Sequence, residues 1–174
     1  MKVKIAVIGS GINAQKQINM KAREIGREIA KADCILVTGS GNGLPYEAVK
    51  GAKEIGGTTI GISPASNIQE HIERYRFPVE AFDVLIFTGF GLKGRNVPFI
   101  RTCDGVIAIS GRIGTLNELT IAYDEGKTIG VLKGTGGISD MVEDLVRKSG
   151  KKGGKVIYES DSESLTKELI NSLR

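Results

Sequence analysis

The sequence predicts a three-layer α/β/α sandwich on a mostly parallel sheet of about seven strands. Three observations lead there. Short β-branched apolar runs alternate with segments of helical period, the pattern of parallel strands joined by right-handed helical crossovers. Glycine-rich turns follow several of those runs. The longest apolar runs, at residues 84–87 and 106–109, fall far short of the ~20 residues that a membrane-spanning helix needs.

The elements follow in order. A strand is expected over residues 3–8, then a helix whose core stripe is Ile18, Ala22, Ile25 and Ile29. Residues 34–38 read as the second strand, with Leu44, Ala48, Ala52 and Ile55 at helical spacing behind it. The third strand is read at 58–62 and the fourth at 84–88. Between them, residues 64–83 show little periodicity and read as a short helix plus a loop that covers a pocket. Strands at 105–109 and 128–132 come next, followed by a stripe of Ile138, Met141, Leu145 and Val146. Residues 148–155, with Lys151, Lys152 and three glycines, read as a mobile solvated turn. The seventh strand, 155–158, is placed at the sheet edge. Ser160 and Glu163 have capping-box spacing ahead of a last helix striped by Leu165, Leu169 and Leu173. Such an order is Rossmann-like.

Bulk features narrow the function. A chain of 174 residues fits one domain, residues 1–174, and buries roughly two thirds of its unfolded surface. Cys34 and Cys103 adjoin apolar runs at a spacing that matches no zinc or redox motif, so both read as reduced core thiols. His71, the one histidine, stands in a polar stretch and reads as a solvent-facing helix residue, and no metal site is expected. A net charge of +4 suits an anionic ligand without requiring nucleic acid. Tyr75 between Arg74 and Arg76, followed by Phe77, has a basic-aromatic mix, but the stretch is too short to predict a nucleic-acid surface. The N-terminus opens on strand-like sequence with no signal peptide, so a cytoplasmic location is expected.

The chemistry is expected beyond the carboxyl ends of the strands, where open parallel sheets bind their ligands. Four glycine-rich loops fall there: Gly9-Ser10-Gly11-Ile12-Asn13-Ala14, Gly39-Ser40-Gly41-Asn42-Gly43, Gly111-Arg112-Ile113-Gly114-Thr115 and Gly134-Thr135-Gly136-Gly137. Glycine lets the backbone approach phosphate oxygens, and a following helix N-terminus offers free N–H groups. Gly9, Ser10, Gly39 to Gly43 and Gly111 to Thr115 are therefore the candidate phosphate-binding residues. The first loop matches the dinucleotide fingerprint G-x-G-x-x-A, yet the second strand ends in Val37-Thr38-Gly39 without the acid that holds a nicotinamide dinucleotide's ribose.

The segment from Arg95 to Asp104, the strand after it, and Ser110-Gly111-Arg112-Ile113-Gly114-Thr115-Leu116-Asn117-Glu118 resemble the LOG (Lonely Guy) family of nucleoside 5′-monophosphate phosphoribohydrolases, long mislabelled as lysine decarboxylases. That family's pattern is an arginine, a helix ending in aspartate, an apolar strand and P-G-G-x-G-T-x-x-E. Residues 39–64 resemble its first glycine motif, helix and G-G-x-x-I-G-x-x-P strand. The superfamily also holds molybdenum-cofactor carrier proteins and a domain of the DNA-processing protein DprA. Here Ser110 and Arg112 replace the proline and second glycine of P-G-G, and Asn96 and Phe99 replace a lysine and a methionine.

The resemblance implies Arg95 and Glu118 as catalytic residues, a nucleotide ligand and a homodimer. It implies hydrolysis of an N-glycosidic bond, or else carriage of a nucleotide-like cofactor without chemistry. Neither a pyridoxal nor any other resident cofactor is expected, because no lysine is marked to hold one. Thr115 and Glu118 also have capping-box spacing, so Glu118 either closes its own helix or faces the ribose as an ionised carboxylate. Arg101 and Asp104 read as structural, pairing or capping near a helix end.

Overall fold

The computed structural model describes residues 1–12 and 15–174. Seven strands form one sheet: β1 (Lys4–Gly9), β2 (Ile35–Thr38), β3 (Thr58–Ser63), β4 (Val84–Phe87), β5 (Gly105–Ile109), β6 (Thr128–Leu132) and β7 (Val156–Glu159). Every pairing is parallel, in the order β4-β3-β2-β1-β5-β6-β7. The fold is the expected Rossmann-like α/β sandwich, with β7 at an edge.

Central strands read as unbroken β-branched runs because helices cover both of their faces. Ile5, Ala6 and Val7 of β1 and Val106 to Ile109 of β5 are fully buried. One face carries α1 (Lys16–Lys31), α2 (Leu44–Lys53) and α8 (Ser162–Ser172), which contribute Ile25, Leu44 and Leu165 to its core. The other face carries α5 (Asn96–Thr102), α6 (Ile113–Asp124) and α7 (Val142–Ser149), which contribute Phe99, Leu119 and Val142. Two short helices, α3 (Ile68–Glu73) and α4 (Gly91–Gly94), lie in the connections around β4. Among the described residues no helix is long and apolar enough to cross a membrane.

Several expectations need correction. Ile55 lies beyond the end of α2 and is 45% exposed. Met141 ends a 3-10 turn (Gly137–Met141), so the helical period is interrupted and Val142 takes the buried place. The last helix is capped by Asp161, whose carboxylate accepts from the Ser164 N–H at 2.8 Å, rather than by Ser160. Residues 150–155 are tied down rather than loose: the Gly154 N–H donates to the Tyr123 carbonyl, the Tyr123 hydroxyl to the Lys151 carbonyl, and Lys151 pairs with Asp124.

His71 is the largest departure. It is fully buried, with Nδ1 2.8 Å from Ser63 Oγ and Nε2 3.0 Å from the Pro78 carbonyl oxygen. The polar look of its local sequence misleads because both partners come from outside α3. Both cysteines are buried and reduced, and burial pushes the Cys103 thiol up to about 12, so it is chemically inert.

Candidate functional site

β1 and β5 are neighbours in the sheet but far apart in the chain, so the strand order reverses between them and their crossovers leave on opposite faces. A crevice opens at that point, at the carboxyl ends of the strands. It holds two adjoining cavities, of ≈ 170 Å³ and ≈ 160 Å³. Gly9, Gly11 and Glu118 line both. Gly39, Gly41, Asn42, Phe77 and Arg95 wall the first, over a floor of Val7, Ile8 and Phe99. Ser10, Arg112, Gly114 and Thr115 wall the second.

Arg95 joins α4 to α5 and is 6% exposed. Gly39 makes room for it: a Cβ on Gly39 would fall 2.3 Å from Arg95 Nη1, so only glycine lets the guanidinium lie against the end of β2. The cation stacks 5.4 Å from the Phe99 ring centroid, and Nη1–H donates to Glu118 Oε1 at 3.0 Å. Its Nε is buried and has no hydrogen-bond partner among the described residues. Beside this pair, Asn96 Nδ2–H donates to Asn117 Oδ1 at 2.7 Å, clipping α5 to α6 so that the residues one step on each side meet. Burial pushes the Glu118 carboxyl above its ordinary value, against the pull of the Arg95 charge, their hydrogen bond and Lys93. Burial likewise lowers Arg95, with Glu118 opposing.

Glu118 therefore does not cap its helix. α6 begins at Ile113 with Arg112 as N-cap and no side-chain cap bond, and Glu118 lies in the second turn. Thr115 Oγ1–H donates instead to the Gly9 carbonyl at 3.1 Å, fastening the start of α6 to the first loop. The second loop is fastened there too. Gly43 has φ +79°, its Cβ would fall 2.2 Å from the Ser10 carbonyl oxygen, and the Leu44 N–H donates to that oxygen at 2.9 Å.

Three of the four glycine loops thus meet, and the fourth does not line either cavity. It braces the Ser110-Gly111 turn from behind: Thr135 Oγ1 accepts from the Ser110 N–H at 2.9 Å, and the Ile138 N–H donates to the Gly111 carbonyl at 3.0 Å. That support holds Ser110 at φ +55°, a left-handed conformation rare for a non-glycine residue. Ser40, at φ +60°, is fully buried and lines neither cavity, nor do Gly43, Gly111 and Ile113. Asn13 and Ala14, which complete the G-x-G-x-x-A match, lie outside the described residues.

Arg101 pairs with Glu125, and Asp104 accepts from the Lys4 backbone N–H and ammonium, so both are structural as expected. Sequence reasoning missed the Asn96–Asn117 clip, which it met only as a departure from a motif. It also missed Lys93, whose Nζ lies 4.0 Å from where a Gly114 Cβ would sit, and Phe77, which it weighed only as part of a basic-aromatic stretch too short to predict a nucleic-acid surface.

The model of the SLOG cluster4 family matches residues 2–166. An uncharacterised protein of Archaeoglobus fulgidus is 30% identical over 131 residues, 75% of this chain and 80% of that one. The molybdenum cofactor binding protein of the phototrophic bacterium Rippkaea orientalis superposes with a TM-score of 0.80 at 29% identity, over 99% of this chain and 98% of that one. The Moco carrier protein of Chlamydomonas reinhardtii superposes with a TM-score of 0.77 at 27% identity, over the same shares.

Proposed function

This chain belongs to the SLOG cluster4 family, and from that membership and the geometry of its crevice we propose that it is a single nucleotide-binding domain that takes a phosphate-bearing, nucleotide-like ligand. The observation that carries the proposal is Arg95: a buried guanidinium that lines the first cavity, its charge shared by a single carboxylate. A buried cation that lines a cavity and is balanced by one carboxylate favours an anionic group in that cavity. The second cavity supports the same reading. There the N-terminus of α6 offers the free N–H groups of Gly114 and Thr115, beside the exposed Arg112.

The ligand is carried unreacted in the reading we favour. Glu118 is already engaged by Arg95, and Arg112 stands where the phosphoribohydrolase pattern has glycine. The two solved relatives above are named for binding or carrying molybdenum cofactor. Among the described residues no three of His, Cys, Asp and Glu gather as a metal site, so a cofactor of that kind would be held here through phosphate and ring rather than through its metal. One observation favours hydrolysis as a second reading: Glu118 borders both cavities, so a ligand with phosphate in one and ring in the other would bring its sugar to that carboxylate. A two-fold homodimer and a cytoplasmic site of action complete the proposal.

The deciding experiment has two parts. Native protein is denatured and the mass of the released small molecule determined; a phosphate-bearing heterocycle is expected. The protein is then incubated with a panel of nucleoside 5′-monophosphates and free base measured by chromatography. Tight binding without base release is the expected result. Base release by wild type, lost in Glu118→Gln and Arg95→Ala, would replace carriage by hydrolysis, and binding of no phosphate compound at all would end both readings.

A further inference from the structure

Resting on the phosphate-ligand reading, we infer that Phe77 is the wall against which the planar ring of the ligand stacks, and that the segment between β3 and β4 exists to hold it there. Phe77 lines the ≈ 170 Å³ cavity, and its ring lies 3.3 Å from where a Gly41 Cβ would sit, flush with the second glycine loop. It lies outside both hydrophobic cores, half-buried against the rings of His71 and Tyr75.

The chain goes to some length to place it. Arg76, immediately before it, is left-handed at φ +54°, and Ala81 after it at φ +67°. A non-glycine residue held in that region persists only when its surroundings over-determine it. Asn42 Nδ2–H donates to the Arg76 carbonyl at 3.1 Å, so the glycine loop itself fixes the strained residue. From behind, the Phe77 N–H donates to the His71 carbonyl at 3.1 Å, and the His71 ring meets the Phe77 ring edge-on, 5.7 Å between centroids. His71 is in turn fixed at both nitrogens. The Pro78 carbonyl only accepts, so Nε2 carries the proton and Nδ1 accepts from the Ser63 hydroxyl. A fully buried histidine and a strained arginine thus position one half-buried phenylalanine over a cleft. With Val7, Ile8 and Phe99 below and the Asn42 amide at its rim, that cleft is an apolar slot with a polar edge, suited to a planar heterocycle. Its phosphate then falls to the second cavity, at the start of α6.

The test compares AMP, GMP and ribose 5-phosphate, which share a phosphate and differ in having a ring, by calorimetry and by proton NMR of the ligand. Phe77→Leu removes the ring and Phe77→Tyr keeps it. Wild type should bind the better nucleotide about tenfold more tightly than ribose 5-phosphate, equivalent to about 1.4 kcal/mol, with base protons shifted upfield by the phenyl ring. Phe77→Leu should abolish the shift and bring that nucleotide to the level of ribose 5-phosphate while leaving ribose 5-phosphate unchanged. Phe77→Tyr should restore both. An unchanged nucleotide preference in Phe77→Leu, or an equal loss for all three ligands, would overturn the inference. Wild type that binds ribose 5-phosphate but prefers neither nucleotide overturns the ring wall alone, whereas wild type that binds none of the three removes the phosphate-ligand reading beneath it.

Discussion

Arg95 and Glu118 belong to one motif in the sequence, but what they do to each other depends on residues from distant segments. Gly39 supplies the space, Phe99 the floor, and Asn96 with Asn117 the register. The motif spacing made both residues legible as site candidates. It did not show that they pair, because pairing depends on how close α5 comes to α6. A charge left buried without its partner costs about 3–5 kcal/mol, whereas replacing both partners with apolar groups costs far less. Glu118→Gln should therefore destabilise the ligand-free protein by roughly 3 kcal/mol in urea unfolding, and Arg95→Met with Glu118→Leu should recover most of it. Additive losses in that double variant would mean the pair is not a coupled unit. His71 teaches the same lesson in reverse: flanking residues made it look exposed, while its partners Ser63 and Pro78 lie outside the helix that carries it.

At the level of elements, strands were more legible than helix ends. A buried parallel strand declares itself by an unbroken β-branched run, whereas a helix start depends on which side chain reaches which N–H, and a shift of one residue moved the α8 cap from Ser160 to Asp161. The α5–α6 clip makes one testable element. Asn96→Ala removes the donor to Asn117 and should cost about 1 kcal/mol in unfolding free energy, with a matching loss of ligand affinity as Arg95 loses its register; unchanged affinity would show that the clip does not position the site. The α3 cap makes another. Asn67 accepts from the Glu70 N–H, and the Ser66 N–H and hydroxyl together with Arg74 hold the Glu70 carboxyl well below its ordinary 4.5, at about 2. A depressed carboxylate stabilises the fold fully above its unfolded value and ceases to do so as pH falls through the folded one. The melting difference between wild type and Glu70→Gln should accordingly be constant above pH 4.5 and close as pH approaches 2. A difference independent of pH would assign the loss to packing instead.

Across the whole molecule, the order of strands was not readable from the chain, but the place of the site was, because glycine loops after β1, β2 and β5 meet wherever those strands are neighbours. If phosphate is what they hold, AMP at ~100 times its Kd should stabilise the protein by about 2.7 kcal/mol, and adenosine by much less. Equal melting shifts from the two would refute a phosphate site.

The sheet itself makes the last prediction. Parallel sheets are covered on both faces, yet here one edge is bare. Val84 and Ile86 of β4 pair in register with Ile60 and Ile62 of β3, and Ile62 lies in the core beneath α5 and α6. Followed outward, that same face ends on Val84 at 46% and Ile86 at 45% exposure. An apolar edge strand left open is a site of association. A second copy placed by two-fold symmetry would set the same patch against itself. Light scattering at micromolar concentration should therefore give about twice the 18.6 kDa of one chain, and Val84→Lys with Ile86→Lys should return it to one while the melting profile stays cooperative. A wild-type mass near one chain would refute pairing, and a dimer untouched by the double lysine variant would move the interface elsewhere.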